Sequence, residues 1–189
     1  MGGNLAASVP CFFMKPPDGL LGPGARIPYP PETHDFQHEV ELVIALGEGG
    51  RNLAPEDARR AVLAYGVGLD LTRRDLQTEL KRRGHPWELA KSFTASAVVS
   101  GLVPWGEGLP STTPLRLRVN GHLRQETAIG AMIHGVEDLL VLLSRYDTLA
   151  PGDLLFTGTP AGVGPLVPGD RLEATCGEAH LEATVVDPS

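Results

Sequence analysis

The sequence is poor in cysteine and aromatics and has neither an excess of positive charge nor a long apolar run, and each shortage removes a class of function. Cysteine occurs only at Cys11 and Cys176. Neither falls in a Cys-x-x-Cys or Cys/His spacing, so no zinc site and no disulfide framework is expected, and a reducing, cytoplasmic compartment fits. The 16 basic residues are outnumbered by 23 acidic ones, for a formal charge of −7. Such a chain has no general attraction for phosphate backbones or anionic lipid, and neither nucleic-acid nor membrane partners are expected. No apolar stretch nears the roughly 20 residues that cross a bilayer, and the N-terminus lacks a basic segment followed by an apolar one. The expectation is a soluble, unprocessed chain.

Glycine and proline are abundant instead, with 23 and 17 residues spread over the whole length. That pattern implies many short elements joined by tight turns. With 189 residues, 42% of them apolar, the chain can bury one sizeable core, and a single domain over 1–189 is expected.

Along the chain, Val9 to Met14 reads as a short strand. His38 to Leu46 reads as a second strand, with Glu39 and Glu41 leading a face that turns apolar. Pro55-Glu56-Asp57 opens a helix to about Ala64, since Pro at the first helical position and acids in the first turn suit its N-terminus. Tyr65 to Leu71 is a strand, and Thr72 with Asp75 three residues later predicts a capping box for a helix over Arg73–Arg83, closed by Gly84. Leu115–Val119, Asn120-Gly121 and His122–Gln125 form a hairpin signal with a type I′ turn. Val136, Leu139, Leu140 and Leu143 have helical spacing, and strands near 154–157, 171–176 and 180–186 close the sequence.

Four features carry possible chemistry. In Glu39-Val40-Glu41 the period of a strand places both carboxylates on one face, about 6.6 Å apart at Cα, where they can share a cation; a solvated edge is the alternative. Asp70 ends a strand whose same-face neighbours are Gly66 and Gly68, leaving room for a ligand, or it caps the next helix. Three carboxylates without His or Cys suit a hard cation. Arg74 and Gln77 share a helix face and Lys91 follows, so the three suit an anionic planar ligand, although each alone suits a solvated surface. The run from Thr157 to Gly164 offers hydroxyls and backbone N–H groups to an anion, or is a plain turn.

Taken in order, Phe13-Met14-Lys15-Pro16, His38-Glu39-Val40-Glu41-Leu42, Gly68 through Gln77, Ala90-Lys91-Ser92-Phe93-Thr94, Val119-Asn120-Gly121 and Pro151-Gly152-Asp153 through Pro160 resemble the fumarylacetoacetate hydrolase family, in its acylpyruvase and fumarylpyruvate hydrolase branch. The resemblance runs from about Phe12 to Val186. It implies a mainly β (α+β) fold, a mixed β-roll with a few short helices, assembled as a homodimer. It implies Mg²⁺ or Mn²⁺ on Glu39, Glu41 and Asp70, substrate contacts from Arg74, Gln77, Lys91 and Thr159, and a catalytic role for Lys91. The expected reaction is hydrolysis of a C–C bond in an acylpyruvate-type 2-oxo acid such as fumarylpyruvate or acetylpyruvate. Decarboxylation or keto–enol tautomerisation of oxaloacetate is the alternative within enzymes, and a catalytically silent metal and oxo-acid binder is the alternative outside them.

The sequence departs from the family pattern at the N-terminus. Where the family carries Gly-x-Asn-Tyr-Ala-x-His, this chain has Gly2-Gly3-Asn4-Leu5-Ala6-Ala7-Ser8, so Ser8 stands at the histidine position and the segment 1–10 reads as a shortened lid. His34 and His38 adjoin the acidic strand without standing in for that histidine.

Overall fold

The computed structural model describes residues 10–188. In chain order its elements are β1 (Leu20–Leu21), β2 (Ala25–Pro28), β3 (Phe36–His38), β4 (Val40–Leu46), α1 (Pro55–Ala61), β5 (Val62–Asp70), β6 (Thr72–Arg73), α2 (Arg74–Arg83), α3 (Glu88–Lys91), β7 (Ala97–Val99), β8 (Val103–Pro104), β9 (Pro114–Val119), β10 (His122–Ala128), α4 (Val136–Leu143), β11 (Leu154–Phe156), β12 (Gly164–Pro165), β13 (Arg171–Cys176) and β14 (Ala179–Val186). The fold is mainly β with few helices, as the family resemblance implied, and is built of many short elements, as the turn-rich composition implied.

Three sheets share one connected core. The first runs β1-β7-β5-β4-β11 with β8 also on β5, the second β10-β9-β13-β14-β2, and the third β12-β3-β6. Pairing is antiparallel except for β1 with β7 and β14 with β2, so the sheets are mixed. Strands β9, β13 and β14 alternate buried and outward residues, turning Leu117, Ala174 and Leu181 inward against Leu42, Val67 and Leu69. Every residue of β4 is buried, because this central strand is covered on both faces. Each fully buried leucine of such a core contributes roughly 2 kcal/mol. Helices α1 and α4 lie together, joined by Arg59 and Glu137 at 2.7 Å. No described helix is long and apolar enough to cross a membrane.

Local signals hold where the determinant is local. Asn120 and Gly121 both take positive φ, 52° and 78°, as a type I′ turn requires. Gly84 closes α2 in the left-handed conformation. Three expectations need correction. Pro10 to Pro16 has no regular structure, because this stretch is held by tertiary contacts of Lys15 and not by strand pairing; Val9 itself lies outside the described residues. No capping box forms on α2: its N-cap is Arg73 without a side-chain cap, since the Thr72 hydroxyl is held by Lys91. Nor does Gly68 leave space for a ligand. A Cβ there would fall 2.6 Å from both Val43 and Phe156, so the glycine permits two neighbours to pack onto the strand.

A carboxylate cluster and its cations

The strand break between β3 and β4 falls at Glu39, and β4 runs antiparallel to β5 so that Glu41 faces Gly68. The Asp70 N–H donates to the Glu39 carbonyl at 2.8 Å, which fixes the end of β5 beside the start of β4. One carboxylate oxygen from each of Glu39, Glu41 and Asp70 lies within 4.8 Å of the others. Their exposures are 7%, 4% and 2%, so the solvated-edge alternative does not describe them. Asp70 does not cap α2.

Three buried carboxylates repel each other unless cations answer them. The Lys91 ammonium, brought in by α3, donates to Glu39 Oε2 at 2.8 Å, Asp70 Oδ2 at 2.7 Å and the Thr72 hydroxyl at 2.6 Å, using all three of its protons. Arg74, at the start of α2, pairs with Glu39 Oε1 and donates to Gln37 Oε1 at 2.9 Å and Gln77 Oε1 at 2.6 Å. Two of its five N–H groups have no partner among the described residues.

Lys15 was not singled out as a site residue by sequence reasoning. Its ammonium donates to the carbonyls of Leu71 at 3.2 Å, Ser96 at 2.8 Å and Lys91, and lies 2.8 Å from Asp70 Oδ1. Four oxygens thus share the three protons of Lys15, and the buried Asp70 Oδ1 is the one whose contact is an ion pair without regular hydrogen-bond geometry. Burial holds the Lys15 ammonium below its usual range against the pull of Asp70. The one signal in the sequence was its place in the Phe13-Met14-Lys15-Pro16 match.

Glu41 receives no cation of its own. Its Oε2 accepts from the Gly158 N–H at 2.6 Å, and burial, reinforced by the charge of Asp70 and then of Glu39, pushes its carboxyl up to about 8. Three cations stand against the three acids, but all of their contacts with them go to Glu39 and Asp70 and none to Glu41. An all-oxygen donor set, a buried oxygen without a regular hydrogen bond and a carboxyl forced toward neutrality fit a hard divalent ion.

The structure gathers Arg74, Gln77 and Lys91 at the cluster with the three acids. Thr159 lies one residue beyond Gly158, its hydroxyl donating to the Val40 carbonyl at 2.9 Å. His34 is exposed. His38 points away from the acids, as strand alternation requires, with its Nδ1 2.9 Å from Gln125 Oε1, and burial lowers its basicity. The lid segment through Val9, Ser8 included, lies outside the described residues.

Residues 3–186 match the family model described as the fumarylacetoacetate (FAA) hydrolase C-terminal domain. The chain belongs to this family. It is 41% identical over 175 residues to the oxaloacetate tautomerase YcgM of Escherichia coli strain K12, covering 92% of this chain and 80% of that protein. It is 38% identical over 175 residues to a fumarylpyruvate hydrolase of a Ralstonia species, covering 92% of this chain and 91% of that one. The crystal structure of fumarylpyruvate hydrolase from Pseudomonas aeruginosa in complex with Mn²⁺ and pyruvate matches with a TM-score of 0.92 at 39% identity, over 98% of this chain and 82% of that one. This is therefore an enzyme of the fumarylacetoacetate hydrolase family with the family's fold.

Proposed function

We propose that the protein hydrolyses a C–C bond in an acylpyruvate-type 2-oxo acid, of the fumarylpyruvate or acetylpyruvate kind, with a divalent cation as cofactor. The observation that carries the reading is the convergence of three buried carboxylates within 4.8 Å beside a guanidinium with free N–H groups. Glu39, Glu41 and Asp70 would hold Mg²⁺ or Mn²⁺. When bound, such an ion supplies Lewis-acid polarisation of the 2-oxo carbonyl and stabilises negative charge developing there. The remaining roles fall to the chain. Arg74 presents its two free N–H groups to the substrate carboxylate, a fork suited to bidentate recognition, while Gln77 and Glu39 fix the fork's orientation. Lys91 brings positive charge against the reacting oxygens as the catalytic cation, its position set by Glu39, Asp70 and Thr72. Thr159 completes the anion contacts beside Glu41. A homodimer and a cytoplasmic compartment are part of the same proposal.

Tautomerisation or decarboxylation of oxaloacetate is the second reading. Among the described residues no histidine bonds to the three acids, and Ser8 replaces the histidine expected to activate water. A proton shift through an enolate requires no activated water. Purified protein with Mg²⁺ or Mn²⁺ is assayed by NMR on acetylpyruvate, fumarylpyruvate and oxaloacetate. Cleavage products from the acylpyruvates support the first reading, enol–keto interconversion or pyruvate from oxaloacetate alone supports the second, and oxalate binding without any turnover defeats both.

A further inference from the structure

Gln125 belongs to β10, in a different sheet from the carboxylates, yet its side chain is used entirely where β3, β4 and the 157–160 turn meet. Its Oε1 accepts from the Val40 N–H at 3.0 Å and lies 2.9 Å from His38 Nδ1. Its Nε2 donates to Thr159 Oγ1 at 2.8 Å and to the Pro160 carbonyl at 2.9 Å. The residue is 1% exposed, and all four of its hydrogen-bonding positions are filled. Oxygen and nitrogen cannot be exchanged, because the Val40 N–H only donates and the Pro160 carbonyl only accepts.

Two assignments follow from that orientation. His38 carries its proton on Nδ1. Thr159 Oγ1 accepts a hydrogen bond from Gln125 Nε2 and donates its own to the Val40 carbonyl, so the hydroxyl has no proton left for a ligand. The donor Thr159 retains is its backbone N–H, which has no partner among the described residues. It follows directly on the Gly158 N–H that binds Glu41.

The surrounding chain is shaped for this contact. The register of β10 on β9 shifts between Leu123 and Gln125, a bulge that redirects the side chain. Gly162, at φ +102°, packs on that bulge so closely that a Cβ would fall 2.3 Å from the Arg124 carbonyl oxygen, so the loop and the bulge interlock through a glycine.

We propose that Gln125 is a positioning residue for the oxo-acid site: by pinning the Thr159 hydroxyl against Val40, it presents the Thr159 backbone N–H, not the hydroxyl, to the carboxylate of a ligand beside Glu41. The inference rests on the reading of the cluster as a divalent-cation and 2-oxo acid site.

The test measures oxalate binding to the Mn²⁺-loaded protein by calorimetry, with Mn²⁺ affinity followed separately by EPR, in Gln125→Leu, Thr159→Val, the double variant and Thr159→Ser. Each of the first two weakens oxalate about tenfold, and the double is no weaker than either single within about twofold, because both remove one device. Thr159→Ser keeps its affinity, and Mn²⁺ affinity changes less than about threefold throughout. Should Gln125→Leu not fold, Gln125→Glu takes its place in the cycle, keeping the bonds from Val40 and His38 while losing the two that Nε2 donates. Singles that bind oxalate like the wild type, or losses that multiply to about a hundredfold in the double, overturn the proposal. A wild-type protein that binds Mn²⁺ but no oxalate overturns the reading of the site as well, a result distinct from the other two.

Discussion

At Lys15 the ammonium donates to main-chain oxygens contributed by residues 71, 91 and 96, while the charge answers Asp70. Replacing it with Met leaves three carbonyls and one carboxylate oxygen without the ammonium that answers them. Lys15→Met is expected to lower the unfolding free energy by about 3 kcal/mol in urea titrations, as for other broken buried ion pairs; a change under about 0.5 kcal/mol would show that the contact is incidental. Nothing in the sequence around position 15 marks it as electrostatic, since its partners lie 55 or more residues away and three of them are backbone atoms that any residue carries. Gln125 was invisible for the same reason. Glu39 and Glu41 were legible because strand alternation alone sets their common face, and Asp70 because the family match and the Gly-rich strand pointed to it, although the glycines serve packing.

The elements divide in the same way. The Asn120-Gly121 hairpin and the Gly84 terminus of α2 are fixed by backbone preferences of the residues that form them, so they could be read directly. The start of α2 was misread because Thr72 is drawn to Lys91, a tertiary contact that outweighs a local cap. Asp75, expected as the other half of that cap, instead anchors α2 to the preceding loop. Its carboxylate accepts from the Thr33 hydroxyl at 2.5 Å and the His34 N–H at 2.9 Å. Burial alone would raise the Asp75 carboxyl, but hydrogen bonds from His34, Thr33 and Leu76 outweigh it and hold the group below its usual range. A depressed carboxylate contributes stability that is present above its unfolded value near 3.8 and is lost as pH falls through the lower folded value. Asp75→Asn is thus expected to cost about 1 kcal/mol at pH 7, discounted for exposure, with the gap to wild type closing in acid; urea melts at pH 7 and pH 3 check it, and a gap that is the same at both rules out the carboxylate's role.

Across the whole molecule the acids, their cations and the Gly158 turn come from positions spread between residues 15 and 158, brought together where the six-stranded and three-stranded sheets adjoin. A ligand held only by that assembled arrangement stabilises the native state by mass action. Mn²⁺ at a hundredfold excess over its dissociation constant is expected to add about 2.7 kcal/mol, read as a rise in melting temperature that EDTA reverses. Glu39→Ala and Asp70→Ala are expected to abolish that rise, and a rise that persists in either variant removes that residue from the proposed ion site. The spread of the cluster along the chain has a kinetic side too. No short segment contains more than two of its acids, so a refolding polypeptide offers the ion only part of its ligand set until β5 has paired with β4 and brought Asp70 beside Glu39 and Glu41. The paramagnetic signal of captured Mn²⁺ would therefore time the pairing of these two strands, whatever the state of the other sheets.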